Sequence, residues 1–146
     1  MKSAKFLVLP VLCFLCVNLC SAQDMKAKKH DNPVWMYVTF VKFKPGMKTP
    51  AVKMVDDYFV KADKNAGIKA PIVYDFNTGE YDYIVAWEMG EEGISTLDYE
   101  LTPDDAKWFT EMGKITGSME NAEAKMQEFY TYVEKWQTEI ARKISQ

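Results

Sequence analysis

Cysteine is almost missing from this chain, and where it occurs is informative. Its three cysteines, Cys13, Cys16 and Cys20, all fall within the first twenty residues. Beyond Cys20 neither a disulfide framework nor a cysteine metal site is available, so burial must hold the fold. Histidine occurs once, at His30, in a polar stretch with Lys26, Lys28 and Lys29. A histidine-based metal centre or a Ser-His or Cys-His pair is thereby set aside, and no metal or other cofactor is expected. No phosphate-binding glycine loop, dinucleotide fingerprint, H-E-x-x-H or G-x-S-x-G motif is present. Lysine and arginine number 18 against 21 acids, with no basic stripe, which makes nucleic acid a poor partner.

Long apolar runs are also scarce, and the one that exists lies at the start. Lys2 and Lys5 precede an uncharged stretch from Phe6 to Leu19, and Cys20-Ser21-Ala22 follows with small residues. This layout predicts a secretory signal peptide over residues 1–22, cleaved after Ala22; its apolar core is short for a membrane span. The expected location is then secreted or periplasmic, with no membrane attachment after cleavage. Two other readings stay open. In a lipoprotein Cys20 is acylated and kept, although Leu19 is bulkier than that signal prefers; in an anchored form the segment is not cleaved. Residues 23–33 read as a flexible polar leader, and residues 34–146 as one α+β domain.

What is abundant is aromatic surface, at 14% of residues. Val34 to Phe43 is dominated by β-branched and aromatic side chains, which predicts a strand. Trp35, Tyr37, Thr39, Val41 and Phe43 share one face, while Val34, Met36, Val38 and Phe40 share the other. Apolar on both sides, it must be central and covered twice. Lys44-Pro45-Gly46 ends it. A helix follows, with Thr49 as its cap, Pro50 in its first turn and Gly67 as its stop. Val52, Val55, Phe59, Ala62 and Ala66 form its apolar stripe, and Asp56-Asp57 reads as part of the wet side.

Ala70 to Met89 predicts a β-hairpin turning at Asn77-Thr78-Gly79. Its second arm sets Tyr81, Tyr83, Val85, Trp87 and Met89 on one face, with Ile84 and Ala86 on the other as a rest for a helix. Seven acids between Glu88 and Asp105 match no calcium-loop spacing. Thr102-Pro103-Asp104-Asp105 marks a helix start, and Thr116-Gly117 its end. From Ser118, Met119, Ala122, Met126, Phe129, Val133, Trp136 and Ile140 recur at helical spacing, yet Tyr130 to Val133 favours a strand. The period argues for a long C-terminal helix and the topology for a fourth strand over 133–141; the reading leans to a helix turning into a strand.

These elements compose a ferredoxin-like β-α-β-β-α-(β) sandwich, in which helices cover one sheet face. Trp35, Tyr37, Tyr83, Val85 and Trp87 would leave the other face more apolar than a monomer tolerates. A homodimer placing sheet on sheet is expected. Burying about 600 Å² of apolar surface contributes on the order of 15 kcal/mol before association costs.

The strand ending in Phe43-Lys44-Pro45-Gly46, the helix after it and the hairpin through Tyr81-Asp82-Tyr83 resemble the dimeric α+β barrel superfamily. That group includes antibiotic-biosynthesis-monooxygenase-like and NIPSNAP-like domains. Glu92-Gly93-Ile94 through Trp108 is similar to uncharacterised secreted bacterial proteins of this build. The resemblance implies a barrel-forming dimer with a cavity between sheets. Haem-degrading members hold iron with a histidine that this domain lacks. Tyr37, Asn77, Tyr83, Trp87 and Trp108 are the candidate cavity residues, and Trp35 and Val85 the candidate dimer face; none matches a catalytic pattern. The expected function is therefore an exported module, structural or binding a small apolar or aromatic ligand. A cofactor-free oxygenase-like enzyme acting on an aromatic substrate is one alternative. A module that binds a partner through a helix spanning 119–140 is the other.

Overall fold

A computed structural model describes residues 26–144; the expected signal peptide, 1–22, lies outside the described residues. Lys26 to Asp31 contain no helix or strand, and a compact unit begins at Asn32. Strand β1 (Val34–Phe43) is followed by a helix α1 in three segments, α-helical Lys48–Met54, π-helical Val55–Phe59 and α-helical Val60–Ala66. Strands β2 (Ile72–Asp75) and β3 (Tyr83–Glu88) form a hairpin, and a short 3-10 turn covers Gly93–Asp98. Helices α2 (Pro103–Thr116) and α3 (Met119–Tyr132) lead into strand β4 (Val133–Lys143).

The four strands make one sheet in the order β2-β3-β1-β4, and every neighbouring pair is antiparallel. This is the ferredoxin-like arrangement, with β1 central as its doubly apolar sequence requires. The C-terminal question resolves in favour of topology. Val133, Trp136 and Ile140 belong to a strand paired with β1 throughout, so the helix spanning 119–140 does not form. Pairing with β1 at ten of the strand's eleven residues, and β-branched and aromatic side chains at the crossover, outweigh the helical spacing of the apolar residues.

Local signals act largely as read. Thr102 Oγ1 accepts the Asp105 N–H at 3.0 Å, and the Asp105 carboxylate accepts the Thr102 N–H at 3.4 Å, closing a capping box. Ser118 Oγ accepts the Asn121 N–H at 3.1 Å. Gly67 ends α1 with φ of 70°, a left-handed conformation that costs glycine nothing. The start of α1 differs from expectation. Met47 is its cap position, Thr49 lies inside the first turn, and no side chain caps the helix.

Two clusters form the core. Val41, Phe43 and Ala51 gather Tyr83, Phe129, Tyr132 and Val133 around them. Ala62, Met112 and Ala122 hold the helices together, with Tyr58, Phe59, Trp108 and Ile115 alongside. A chain of edge-to-face rings links the two, from Tyr83 to Phe43 at 5.7 Å, Phe43 to Phe129 at 6.4 Å, and Phe129 to Phe59 at 5.2 Å. Helix contact is thus made with the aromatic face of β3 at its Tyr83 end. Ile84 and Ala86, the expected helix rest, point to the opposite face. On the aromatic face Ala51 of α1 packs with Val41 and Phe43, and Tyr83 joins them.

Candidate functional site

Antiparallel register decides which side chains share a face, because residues directly opposite one another point the same way. Tyr37 stands between Trp87 on β3 and Ile140 on β4. One step along, Thr39 stands between Val85 and Thr138, and Val85 in turn opposes Val73 on β2. A further step places Val41 between Tyr83 and Trp136, with Asp75 beyond Tyr83. At the other end Trp35 opposes Arg142. One continuous plate results, carrying aromatic and aliphatic side chains on all four strands.

Its two ends are covered and its middle is open. Tyr83 lies under the helices, and burial there raises its phenol above the ordinary tyrosine value, with Asp75 acting in the same direction. At the opposite end the 3-10 turn presses on Trp35, where a Cβ added to Gly93 would lie 3.1 Å from the indole. Gly93 has φ of 55°, so both conformation and contact call for glycine. Between these ends Trp87 is 36% exposed, Ile140 45% and Val73 51%; Trp136, level with Tyr83 but on the outer strand β4, is 53% exposed. Thr39 and Thr138 share an exposed hydroxyl–hydroxyl bond of 2.9 Å across the centre.

The plate carries few charges. Asp75 is taken by Lys48 at 2.6 Å, and that hydrogen bond raises the lysine pKa. The same ammonium sits 4.9 Å from the centre of the Tyr83 ring. Tyr83 and Lys48 also border an open groove along α1 with Thr49, Val52, Lys53, Asp56 and Asp57. Of the groove's acids, Asp57 accepts from Lys53 at 2.5 Å, which lowers its pKa.

The residues expected to line a cavity divide into two sets. Tyr37, Tyr83 and Trp87 share the plate, together with Trp35 and Val85 from the expected dimer face. Asn77 lies exposed in the β2–β3 turn. Trp108 sits on α2, 5.5 Å from the Phe59 ring. Burial raises the nearby Asp63 carboxyl above the usual range, and the Trp108 indole acts against that shift. Trp136, Thr138, Ile140 and Arg142 complete the plate and were not expected there. Their alternation in steps of two is visible in the sequence but overlaps a helical spacing through Val133, Trp136 and Ile140.

Asp82 has a second unexpected role. Its carboxylate accepts the Phe43 N–H at 2.8 Å, beside the register shift between Lys42 and Phe43, standing in for a ladder carbonyl. Among the described residues no group of three or more His, Cys, Asp and Glu side chains is placed to hold a metal ion. No helix among them is long and apolar enough to cross a membrane.

Two solved structures from Agrobacterium tumefaciens str. C58 share this architecture. A NIPSNAP family protein superimposes with a TM-score of 0.52 at 16% identity, covering 82% of this chain and 93% of its own. A second, described as a NIPSNAP family protein with unknown function, gives 0.51 at 15% identity, covering 80% and 94%. No family model matches the chain, and no curated protein does. At these identities the likeness is one of fold: the chain has the ferredoxin-like α+β fold of those NIPSNAP proteins.

Proposed function

We propose that this chain is an exported α+β module that works as a homodimer and holds a small apolar or aromatic ligand against its aromatic sheet face, without a chemical step. One observation carries the reading: the open middle of the plate, where Trp87, Ile140 and Val73 are each more than a third exposed. Isolated exposed rings are ordinary, but a contiguous set on one face marks a surface meant for contact. Export is supported by Lys2 and Lys5, the Phe6–Leu19 run and the small residues at Cys20-Ser21-Ala22.

Dimerisation is supported by surface that one chain leaves uncovered. Strand β2 pairs only with β3. Its Ile72, Val73 and Tyr74 are exposed by 41%, 51% and 58%, although they alternate between faces. An apolar edge strand with a free side is a pairing surface unless something covers it. A second copy is the simplest cover for that edge.

Native mass spectrometry of protein purified from its host tests all three parts together. The expected species lacks residues 1–22, has twice the subunit mass, and carries a small molecule lost on activation. A full-length species overturns export by cleavage. A monomer at high micromolar concentration overturns the dimer. A ligand-free species that also leaves Trp fluorescence unchanged with naphthol-type probes overturns the ligand face.

A further inference from the structure

We infer that the ligand class of the aromatic plate is a flat aromatic carboxylate, its rings lying over Trp87, Tyr37 and Ile140 and its anionic group held by Arg142. This deepens the ligand reading above and rests on it. The first support is compositional. Arg142 is the single arginine of the chain; every other basic side chain apart from His30 is lysine. All the ion pairs between described residues are lysine–carboxylate pairs, and Arg142 takes part in none of them. A guanidinium offers a planar fork that grips a carboxylate with two bonds and also stacks on rings. Lysine, a point charge, lacks that planar fork, although Lys48 also sits over a ring of the plate.

The second support is position. Arg142 opposes Trp35 and stands two residues from Ile140, which opposes Tyr37 and through it Trp87. Two strand residues span about 7 Å, the distance from a carboxylate to the far ring of a bicyclic aromatic. A further two residues reach the Thr39–Thr138 hydroxyl pair, which suits a distal polar substituent. The third support is charge. The plate's only acid, Asp75, lies at the opposite end and is neutralised by Lys48. Glu139 and Lys143, the chain neighbours of Ile140 and Arg142, project to the other face. Arg142 therefore has no carboxylate of the plate beside it; Glu91 and Glu92 belong to the turn that leads into Gly93.

The test is a titration of the processed full chain at low salt, followed by tryptophan fluorescence and calorimetry, with three probes of equal ring size: 2-naphthoate, 2-naphthol and 2-naphthylmethylamine. Naphthoate is expected to bind at least tenfold tighter than naphthol, and the amine weakest. Arg142→Gln should erase that preference while naphthol affinity stays within a factor of two, and Arg142→Lys should restore part of it. Trp87→Ala should weaken naphthoate and naphthol alike. Far-ultraviolet circular dichroism verifies that each variant is folded. Equal binding of naphthoate and naphthol, or a preference that survives Arg142→Gln, overturns the carboxylate inference and leaves the ligand face standing. No binding of any probe overturns both.

Discussion

The two faces of the sheet begin from the same kind of strand and end as different surfaces. On β1 both are apolar, one with Trp35, Tyr37, Thr39, Val41 and Phe43, the other with Val34, Met36, Val38 and Phe40. The neighbours separate them. Opposite Tyr37 and Thr39 stand Trp87, Val85, Ile140 and Thr138, so the aromatic plate continues outward. Opposite Met36 stands Glu88, opposite Val38 stands Glu139, and opposite Phe40 stands Gln137. That second face is apolar along its inner strands and charged on β4 and at its rim. Glu88 meets Lys69 at 2.6 Å and Lys143 at 3.5 Å, while Lys135 meets Glu80 at 2.7 Å. Such exposed pairs add little stability each. They ring a face whose centre is itself buried, Met36 at 6% and Ala86 at 8% exposure. A central strand fixes that a sheet is covered; its partners fix by what.

The largest way to break this comparison is at the covered end of the plate. Phe43→Ala removes a buried ring between Tyr83 and Phe129 and should cost about 3–5 kcal/mol, read from the urea midpoint. Phe40→Ala, half-buried on the other face, should cost less than half as much; equal losses would mean the faces are packed alike. Next, Gly93→Ala forces a positive φ on a side chain that meets the Trp35 indole. A loss of about 1–3 kcal/mol is expected, again by urea unfolding. A wild-type midpoint would show that the 3-10 turn does not clamp the plate.

Smaller effects sharpen which face docks the second copy. Ile140→Glu should raise the dimer dissociation constant at least tenfold, about 1.4 kcal/mol, in sedimentation equilibrium. Tyr74→Glu, exposed on the opposite face, should shift it less; the reverse order would assign the interface to the charged side. The smallest effect concerns the charged rim of the second face. The hydrogen bond from Lys69, aided by Lys143, holds Glu88 below the ordinary glutamate value of 4.5. A carboxylate with a lowered folded pKa contributes stability above that ordinary value and loses it as pH falls through the folded one. Glu88→Gln should therefore lower the melting temperature slightly at pH 7 and matter less and less as the pH falls below 4.5, flattening the acid limb.

Much of the fold was legible because it rests on local chemistry. Val34–Phe43 is a strand by composition, Gly67 stops α1 because it tolerates left-handed backbone, and Thr102 with Asp105 closes a capping box. Residues 133–143 were ambiguous, since Val133, Trp136 and Ile140 fit a helical period while Trp136, Thr138, Ile140 and Arg142 fit a strand. The candidate site was half legible for the same reason. Tyr37, Tyr83, Val85 and Trp87 follow from alternation within two clear strands, whereas the β4 contribution required knowing that β4 exists. Trp108 and Asn77 were grouped with them by residue type, and the structure places them elsewhere.

The sequence alone determined the element types, the centrality of β1 and the aromatic alternation along β1 and β3, because these depend on contacts within a few residues. Only the tertiary structure decided that Arg142 faces Trp35, that Asp82 bonds the Phe43 amide, and that the helices sit over Tyr83 and leave Trp87 in the open. Each of those joins segments tens of residues apart, and register between distant strands is settled by the whole packed sheet, so no local window of sequence contains it.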